Sequence, residues 1–323
     1  MNIFVAGGAG YIGSSCVEYL LNHGHEVTVY DSLIAGHKEA IDKRAKFVEG
    51  CLSNRELVFD TVVKGQFDGI MHFAAFSLVG ESMQNPGKYF RNNDAFGINL
   101  LDAAVEGKVK SFVFSSTAAT FGLPDKMPIT ETAPQIPINP YGESKLIFEK
   151  MLNWYNKIHG LKYTALRYFN AAGATKYFGE DHNPESHLIP LILQVAQGKR
   201  DSIKIFGDDY PTPDGTCLRD YIHITDLAQA HMLALDSPRC GHYNLGTGNG
   251  FSVKEIIEVA RKITGHPIPA VIDERRPGDP AKLVADSTLI KKDLGWNPEF
   301  EDVTKIVSSV WDWMQKHPNG YNK

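Results

Sequence analysis

The chain has 323 residues, enough for one large domain or two unequal ones. Apolar residues make up 43% and charged residues 22%, and the net charge of -5 lacks the basic footprint of a nucleic-acid binder, so no nucleic-acid partner is expected. Cys16, Cys51, Cys217 and Cys240 form no C-x-x-C pair, and the N-terminal apolar run stops at Gly7, so disulfide frameworks, zinc sites, signal peptides and membrane spans are disfavoured and a cytoplasmic location is expected.

In chain order, residues 3–6 are a short apolar run followed by glycines. Ile12, Cys16, Tyr19 and Leu20 then recur at helical spacing up to Gly24. The β-branched run 26–30 ends at Asp31, so strand, glycine turn, helix and strand make a βαβ unit. The alternation continues with strands at 47–50, 69–73, 111–115 and 163–167, and helices at 55–63, 92–105 and 141–159. This pattern predicts an α/β fold with a Rossmann-type doubly wound parallel sheet over residues 1–174. From 175 prolines and glycines rise, with helical stretches near 188–198, 225–236, 252–264 and 302–316. Residues 175–323 read as a smaller α/β lobe. Residues 241–245 read as a strand returning to the first sheet, which would give the first domain part of 222–250. The twelve histidines show no metal spacing, and no metal is expected.

Gly7-Gly8-Ala9-Gly10-Tyr11-Ile12-Gly13 fits G-x-x-G-x-x-G between a strand and a helix. Glycines there give a tight turn, close approach to a pyrophosphate and close helix–strand packing, and the helix N-terminus favours the anion. Asp31 ends the next strand. A carboxylate there binds ribose hydroxyls and repels a 2′-phosphate, so NAD is expected over NADP.

Tyr141 and Lys145 stand at i and i+4, on one face of a helix that begins after Pro140. A free tyrosine is a poor base at neutral pH, and a nearby ammonium is expected to lower its pKa. Ser115-Ser116-Thr117 follows a buried strand, where doubly wound sheets open their ligand crevice. A hydroxyl there is placed to bond a reacting substrate oxygen.

With these motifs the chain resembles the extended short-chain dehydrogenase/reductase family and, within it, the UDP-galactose 4-epimerases. The matching runs are GGAGYIGS from Gly7, HFAA from His72, VGES from Val79, FSSTAATFG from Phe114 and NPYGESK from Asn139. They continue with LRYFNAAGA from Leu166, IFGDDYPTPDGTCLRDYIH from Ile205, YNLGTG from Tyr243 and RRPGDPAKLVAD from Arg275. The resemblance implies NAD-dependent inversion of carbon 4 of a UDP-sugar through a 4-keto intermediate. In that reading Tyr141, Lys145 and Thr117 are catalytic. Gly7, Gly10, Tyr11, Ile12, Gly13, Asp31, Leu52, Phe73, Ala74, Ala75, Asn92, Ser115, Tyr141, Lys145 and Tyr168 bind the cofactor. Thr117, Tyr141, Asn170, His187, Leu188, Arg219, Tyr221, Arg276, Asp279 and Leu283 bind the substrate.

The chain also departs from the family pattern. Thr117 replaces a Ser, Cys51 an Asp that contacts adenine, Ser77 a Lys that reaches the pyrophosphate, Phe121 a Tyr, and His187 an Asn. Leu283 aligns with a residue that gates the sugar 2-substituent, and its small size suggests that N-acetylated sugars are accepted. Ala118-Ala119 stands where sugar-nucleotide 4,6-dehydratases carry an acidic pair, which argues against that reaction. A UDP-pentose or UDP-uronate 4-epimerase and a non-catalytic NAD sensor stay open. Ile147, Met151, Tyr155 and Ile158 share one face of the long helix, with Leu146 and Trp154 elsewhere. With the helix at 92–105 this suggests a homodimer through a helix bundle.

Overall fold

Strand β1 (Asn2–Ala6) is buried at Ile3, Phe4, Val5 and Ala6, on both faces, as a central parallel strand requires. The computed structural model describes residues 1–276 and 278–321. After β1 come α1 (Tyr11–Asn22), β2 (Glu26–Asp31), β3 (Lys46–Glu49), α2 (Arg55–Gly65), β4 (Gly69–His72), α3 (Val79–Gln84) and α4 (Pro86–Tyr89). Next are α5 (Phe96–Glu106), β5 (Ser111–Thr117), α6 (Pro140–His159), β6 (Tyr163–Tyr168) and β7 (Asn170–Ala172). The second half adds α7 (Leu188–Ala196), β8 (Ile203–Phe206), β9 (Leu218–His223), α8 (Ile224–Asp236), β10 (Gly241–Leu245) and β11 (Gly250–Ser252). It closes with α9 (Val253–Thr264), β12 (Ala270–Asp273), β13 (Lys282–Leu283), α10 (Thr288–Leu294) and α11 (Val303–Lys316).

Seven strands form one sheet in the order β10-β6-β5-β4-β1-β2-β3. Every pair is parallel. β1 has β2 on one side and β4 on the other, so the winding reverses there. Doubly wound sheets open a crevice at the C-terminal edge of such a switch point. One face is covered by α1, α8 and α10 through Val17, Leu20, Leu227, Leu235 and Ile290. The other is covered by α2, α5 and α6 through Val62, Leu100, Phe148 and Leu152. Phe148 stacks on Phe114 with ring centres 4.4 Å apart. Truncating such a ring to alanine costs about 3–5 kcal/mol.

The helix expected at 92–105 is two pieces, a π-helical turn at Phe90–Ala95 and then α5. The wider turn carries Asn93, whose amide bonds both backbone groups of Phe76 and the Ser144 hydroxyl. On α6 the inward side is Leu146, Phe148, Glu149 and Leu152, while Ile147, Met151 and Tyr155 lie half-buried. Trp154 and Ile158 face outward, 60% and 67% exposed.

In the second half β9 is bordered by antiparallel β11 and by parallel β13 and β7. β8 and β12 form a separate parallel pair. Helices α7, α9 and α11 close a second core through Ile192, Ile256, Val307 and Trp313, which also takes in Tyr221. Ser252 and Glu255 form a reciprocal cap at the start of α9. Among the described residues no helix is long and apolar enough to cross a membrane.

Candidate active site

The glycine loop follows β1. Gly7 has φ +83°, and a Cβ on it would lie 2.5 Å from the Ala74 nitrogen. On Gly13 a Cβ would lie 2.1 Å from the Gly7 oxygen, whereas on Gly10 the nearest atom is 3.5 Å away. Gly7 and Gly13 thus serve backbone packing. Gly10 leaves the N-terminus of α1 without a side-chain cap, its N–H groups and dipole open to an anion. Tyr11 and Ile12 form the first turn, and the Tyr11 hydroxyl donates to the Gly173 oxygen at 2.6 Å. Asp31, buried at the end of β2, accepts from the Ala9 and Leu33 N–H groups, both at 2.9 Å. Burial raises its pKa and those N–H groups work against the rise. Each carboxylate oxygen keeps a lone pair for a ribose hydroxyl. The Phe73 and Ala74 N–H groups both donate to the Ala6 oxygen, so these residues and Ala75 continue along the loop. Leu52 is buried after β3, its oxygen accepting from Asn99 at 2.8 Å. An uncapped helix start, a fixed carboxylate and close-packed glycines fit an NAD-type dinucleotide.

The Asn139 side chain caps α6 by accepting from the Gly142 N–H at 2.8 Å. A Cβ on Gly142 would lie 2.5 Å from the Ala119 oxygen. That glycine lets the helix start settle on the turn after β5, which sets Tyr141 beside Thr117. Burial pushes the Tyr141 phenol above its ordinary value, while the Thr117 hydroxyl beside it draws it down. Lys145 is buried, and its Nζ donates to the Ser115 oxygen at 2.8 Å. Burial pulls this ammonium down to about 8, against the pull of Asp94 and Glu149. The net lowering of the Tyr141 pKa expected from sequence is not found, because burial outweighs it; the Lys145 ammonium, 6.0 Å from the Tyr141 ring centre, gives one of its three donors to a backbone carbonyl. The hydroxyls of Ser115 and Tyr168 are hydrogen-bonded to each other. Asn92 donates to the Asn93 side chain at 3.0 Å.

Sequence reading missed what holds this wall. Glu149, one turn beyond Lys145 on the same face of α6, takes two bonds from Arg167 of β6, at 2.9 and 2.6 Å. It also accepts from Ser116 of β5 at 2.5 Å and from Gln135 at 3.2 Å. Burial works against the Glu149 carboxylate, but Arg167, with His242 and Ser116, outweighs it and holds its pKa below the ordinary range. Asp94 is buried with no partner on either oxygen, and burial raises it to about 7 despite Lys145.

The substrate candidates gather around β9. Asn170 pairs in register with Tyr221 across β7–β9, and Leu283 with Arg219 across β13–β9. Buried Asp220 fixes this patch by accepting from Thr247, Gly248 and Ala285. Leu283 packs with Ala118, Phe121 and Ile129, beside the turn that follows Thr117. Arg219 and Asp279 are paired with each other. The Arg276 guanidinium sits 4.0 Å over the Phe206 ring, and the Arg276 oxygen accepts from the Asp279 N–H at 3.2 Å. Leu188 opens α7 and packs on the core that holds Tyr221. His187, just before it, is drawn by Nδ1 to Glu180 and Glu185, a grouping that sequence reading missed.

Residues 3–246 match the NAD dependent epimerase/dehydratase family. The chain is 53% identical over 330 residues to a UDP-glucose 4-epimerase of Streptococcus mutans, covering 100% of this chain and 99% of that one. It overlays a crystal structure of a UDP-glucose 4-epimerase with a TM-score of 0.97 at 51% identity, covering 100% of both chains. A Stenotrophomonas maltophila UDP-glucose-4-epimerase, solved with NAD and formylated UDP-arabinopyranose, overlays with a TM-score of 0.95 at 39% identity, covering 98% of this chain and 99% of that one. The chain therefore belongs to the NAD-dependent epimerase/dehydratase family.

Proposed function

We propose that the chain inverts carbon 4 of a UDP-hexose, interconverting UDP-glucose and UDP-galactose with NAD retained as a prosthetic group. The observation that carries this reading is Tyr141 beside Thr117, with Lys145 one turn on, at the edge where the glycine loop also opens. The glycine loop, Asp31 and Lys145 would hold NAD, which would supply the hydride acceptance and return at carbon 4. Tyr141, as phenolate, accepts the proton of the 4-hydroxyl and gives it back after the keto sugar has turned. Its place in the first turn of α6 favours that anion. Thr117 shares the hydrogen bond to the sugar oxygen. Lys145 adds positive charge behind the phenol and a donor for a ribose hydroxyl. Arg219 and Arg276 meet the diphosphate with bidentate donors, and Asp279 orients Arg219 until substrate arrives. Asn170, His187, Leu188 and Tyr221 complete the UDP-sugar site.

Leu283 leaves room at the sugar 2-substituent, so UDP-GlcNAc and UDP-GalNAc are further substrates in this reading. Residues 1–174 with β10 hold the cofactor and residues from 175 hold the nucleotide sugar. The outward apolar residues Trp154 and Ile158 on α6 and Ile98 on α5 support a homodimer through these helices; light scattering at micromolar concentration tests it by mass. Four free cysteines fit a cytoplasmic location. Purified protein incubated with UDP-galactose, with no NAD added, is expected to form UDP-glucose. No product even with added NAD would reject the reaction.

A further inference from the structure

One cluster of ligating side chains shares only His187 with the proposed UDP-sugar site. Glu180, His182, Glu185 and His187 come from the segment before α7, and one ligand atom of each lies within 4.8 Å of all the others. The Glu180 and Glu185 side chains are only 2% and 6% exposed. Carboxylates so far from water are paired or coordinate a metal. Both imidazoles face them through Nδ1. His182 Nδ1 is 3.0 Å from Glu180 and 3.9 Å from Glu185. His187 Nδ1 is 3.5 Å from Glu185 and is hydrogen-bonded to Glu180, while Glu185 also accepts from the Ser186 and His187 N–H groups at 2.7 and 2.8 Å. The buried His182 Nδ1 has no well-aligned hydrogen bond despite this closeness. It is aimed among the carboxylate oxygens, as a ligand around a shared ion would be.

We propose that Glu180, His182, Glu185 and His187 bind one divalent first-row transition ion, with zinc as the reference case. Ligands about 2.1 Å from a tetrahedral ion stand about 3.4 Å from each other, within the range of the separations above. Two imidazoles and two carboxylates suit such ions, and the two carboxylate charges cancel that of the ion. A cavity of about 310 Å³ bordered by Glu180, His182, Glu185, Gln194 and His317 gives the ion a way in. Four protein ligands leave no open position, so the role is structural. Tyr11 of the glycine loop stands edge-on to His182 at 6.1 Å, and His37 bonds the Asp181 oxygen at 2.8 Å. The ion would pin the segment leading into α7 against Tyr11 of the cofactor loop and His37, and His187 keeps Nε2 for another partner.

Untagged full-length protein, stripped with a chelator and dialysed, is titrated with Zn²⁺ by calorimetry and with Co²⁺ by visible absorption. The expected result is one ion per chain, an intense tetrahedral Co²⁺ spectrum and a rise in Tm with zinc. In His182→Ala and Glu180→Gln, zinc binding weakens more than about 100-fold, beyond what loss of an outer-shell partner does, and the rise in Tm disappears. Absence of saturable binding, or equal affinity in both variants, overturns the proposal. Should the variants fail to fold, the Co²⁺ spectrum of the unaltered protein decides: a tetrahedral spectrum with nitrogen ligands supports the site, and a weak octahedral one rejects it.

Discussion

Lys145 and Arg219, both cations of the proposed reaction crevice, are held in opposite ways. Lys145 is 3% exposed, bonded to a backbone carbonyl and flanked by buried Asp94 and Glu149. Arg219 sits on a short strand of the second half, its side chain 12% exposed and paired with the more open Asp279. The proposed catalytic wall of β5 and α6 is closed to water: Glu149 and Arg167 are paired in its interior, and Asp94 is buried beside Lys145 with no partner. The proposed substrate wall of β9 and β13 carries charges whose partners would be exchanged for a phosphate in that reading. Changes in the first wall should therefore reach folding, rate and pH dependence. Changes in the second should reach KM and substrate choice.

The sharpest break of that contrast is Arg167→Met, which strands the Glu149 carboxylate in the interior. It is expected to destabilise the fold by about 3–5 kcal/mol in urea unfolding, and adding Glu149→Leu should recover much of the loss. A surface-like cost below about 1 kcal/mol would refute the closed network.

Asp94→Asn should separate the walls by pH. The folded-state pKa of Asp94 is raised to about 7 from an ordinary value near 3.9. A raised group stabilises fully below its unfolded pKa, and that stability is lost as pH climbs through the folded value. Asparagine has no such loss. The variant is expected to be more stable than the parent at pH 8 by on the order of 2 kcal/mol, the gap closing toward pH 4. A pH-independent difference would contradict the unpartnered burial of Asp94.

On the substrate wall, Arg219→Met should raise KM for UDP-galactose about 10- to 100-fold, the worth of a lost charged hydrogen bond, with kcat nearly unchanged. A fall in kcat of the same size would place Arg219 in the transition state instead. The mildest change is Leu283→Tyr. It should remove turnover of UDP-GlcNAc while UDP-galactose is still converted, and equal loss on both sugars would mean that the loop, not this side chain, sets selectivity.

The two walls were also unequally legible. The glycine loop and α6 could be read because local signals fix them: alternating periods, Pro140 at a helix start, and a Tyr/Lys pair one turn apart. Glu149–Arg167 was invisible because it joins a helix to a strand across the sheet. The π-helical turn at Phe90–Ala95 was hidden because long-range bonds of Asn93 accompany it and no local period marks it. In the second half β7, β11 and β13 span two or three residues each, too short for alternation to register. The spacing E-x-H-x-x-E-x-H at 180–187 was present in the sequence, but reading its histidines singly concealed it.

The most direct test of the account is turnover of UDP-galactose by Tyr141→Phe, with bound NAD measured in the same preparation. The account predicts that NAD stays near one per chain while kcat falls about 1000-fold or more, as loss of a positioned proton acceptor requires. Turnover within tenfold of the parent, with NAD retained, would contradict the assignment of Tyr141 and the catalytic wall built around it.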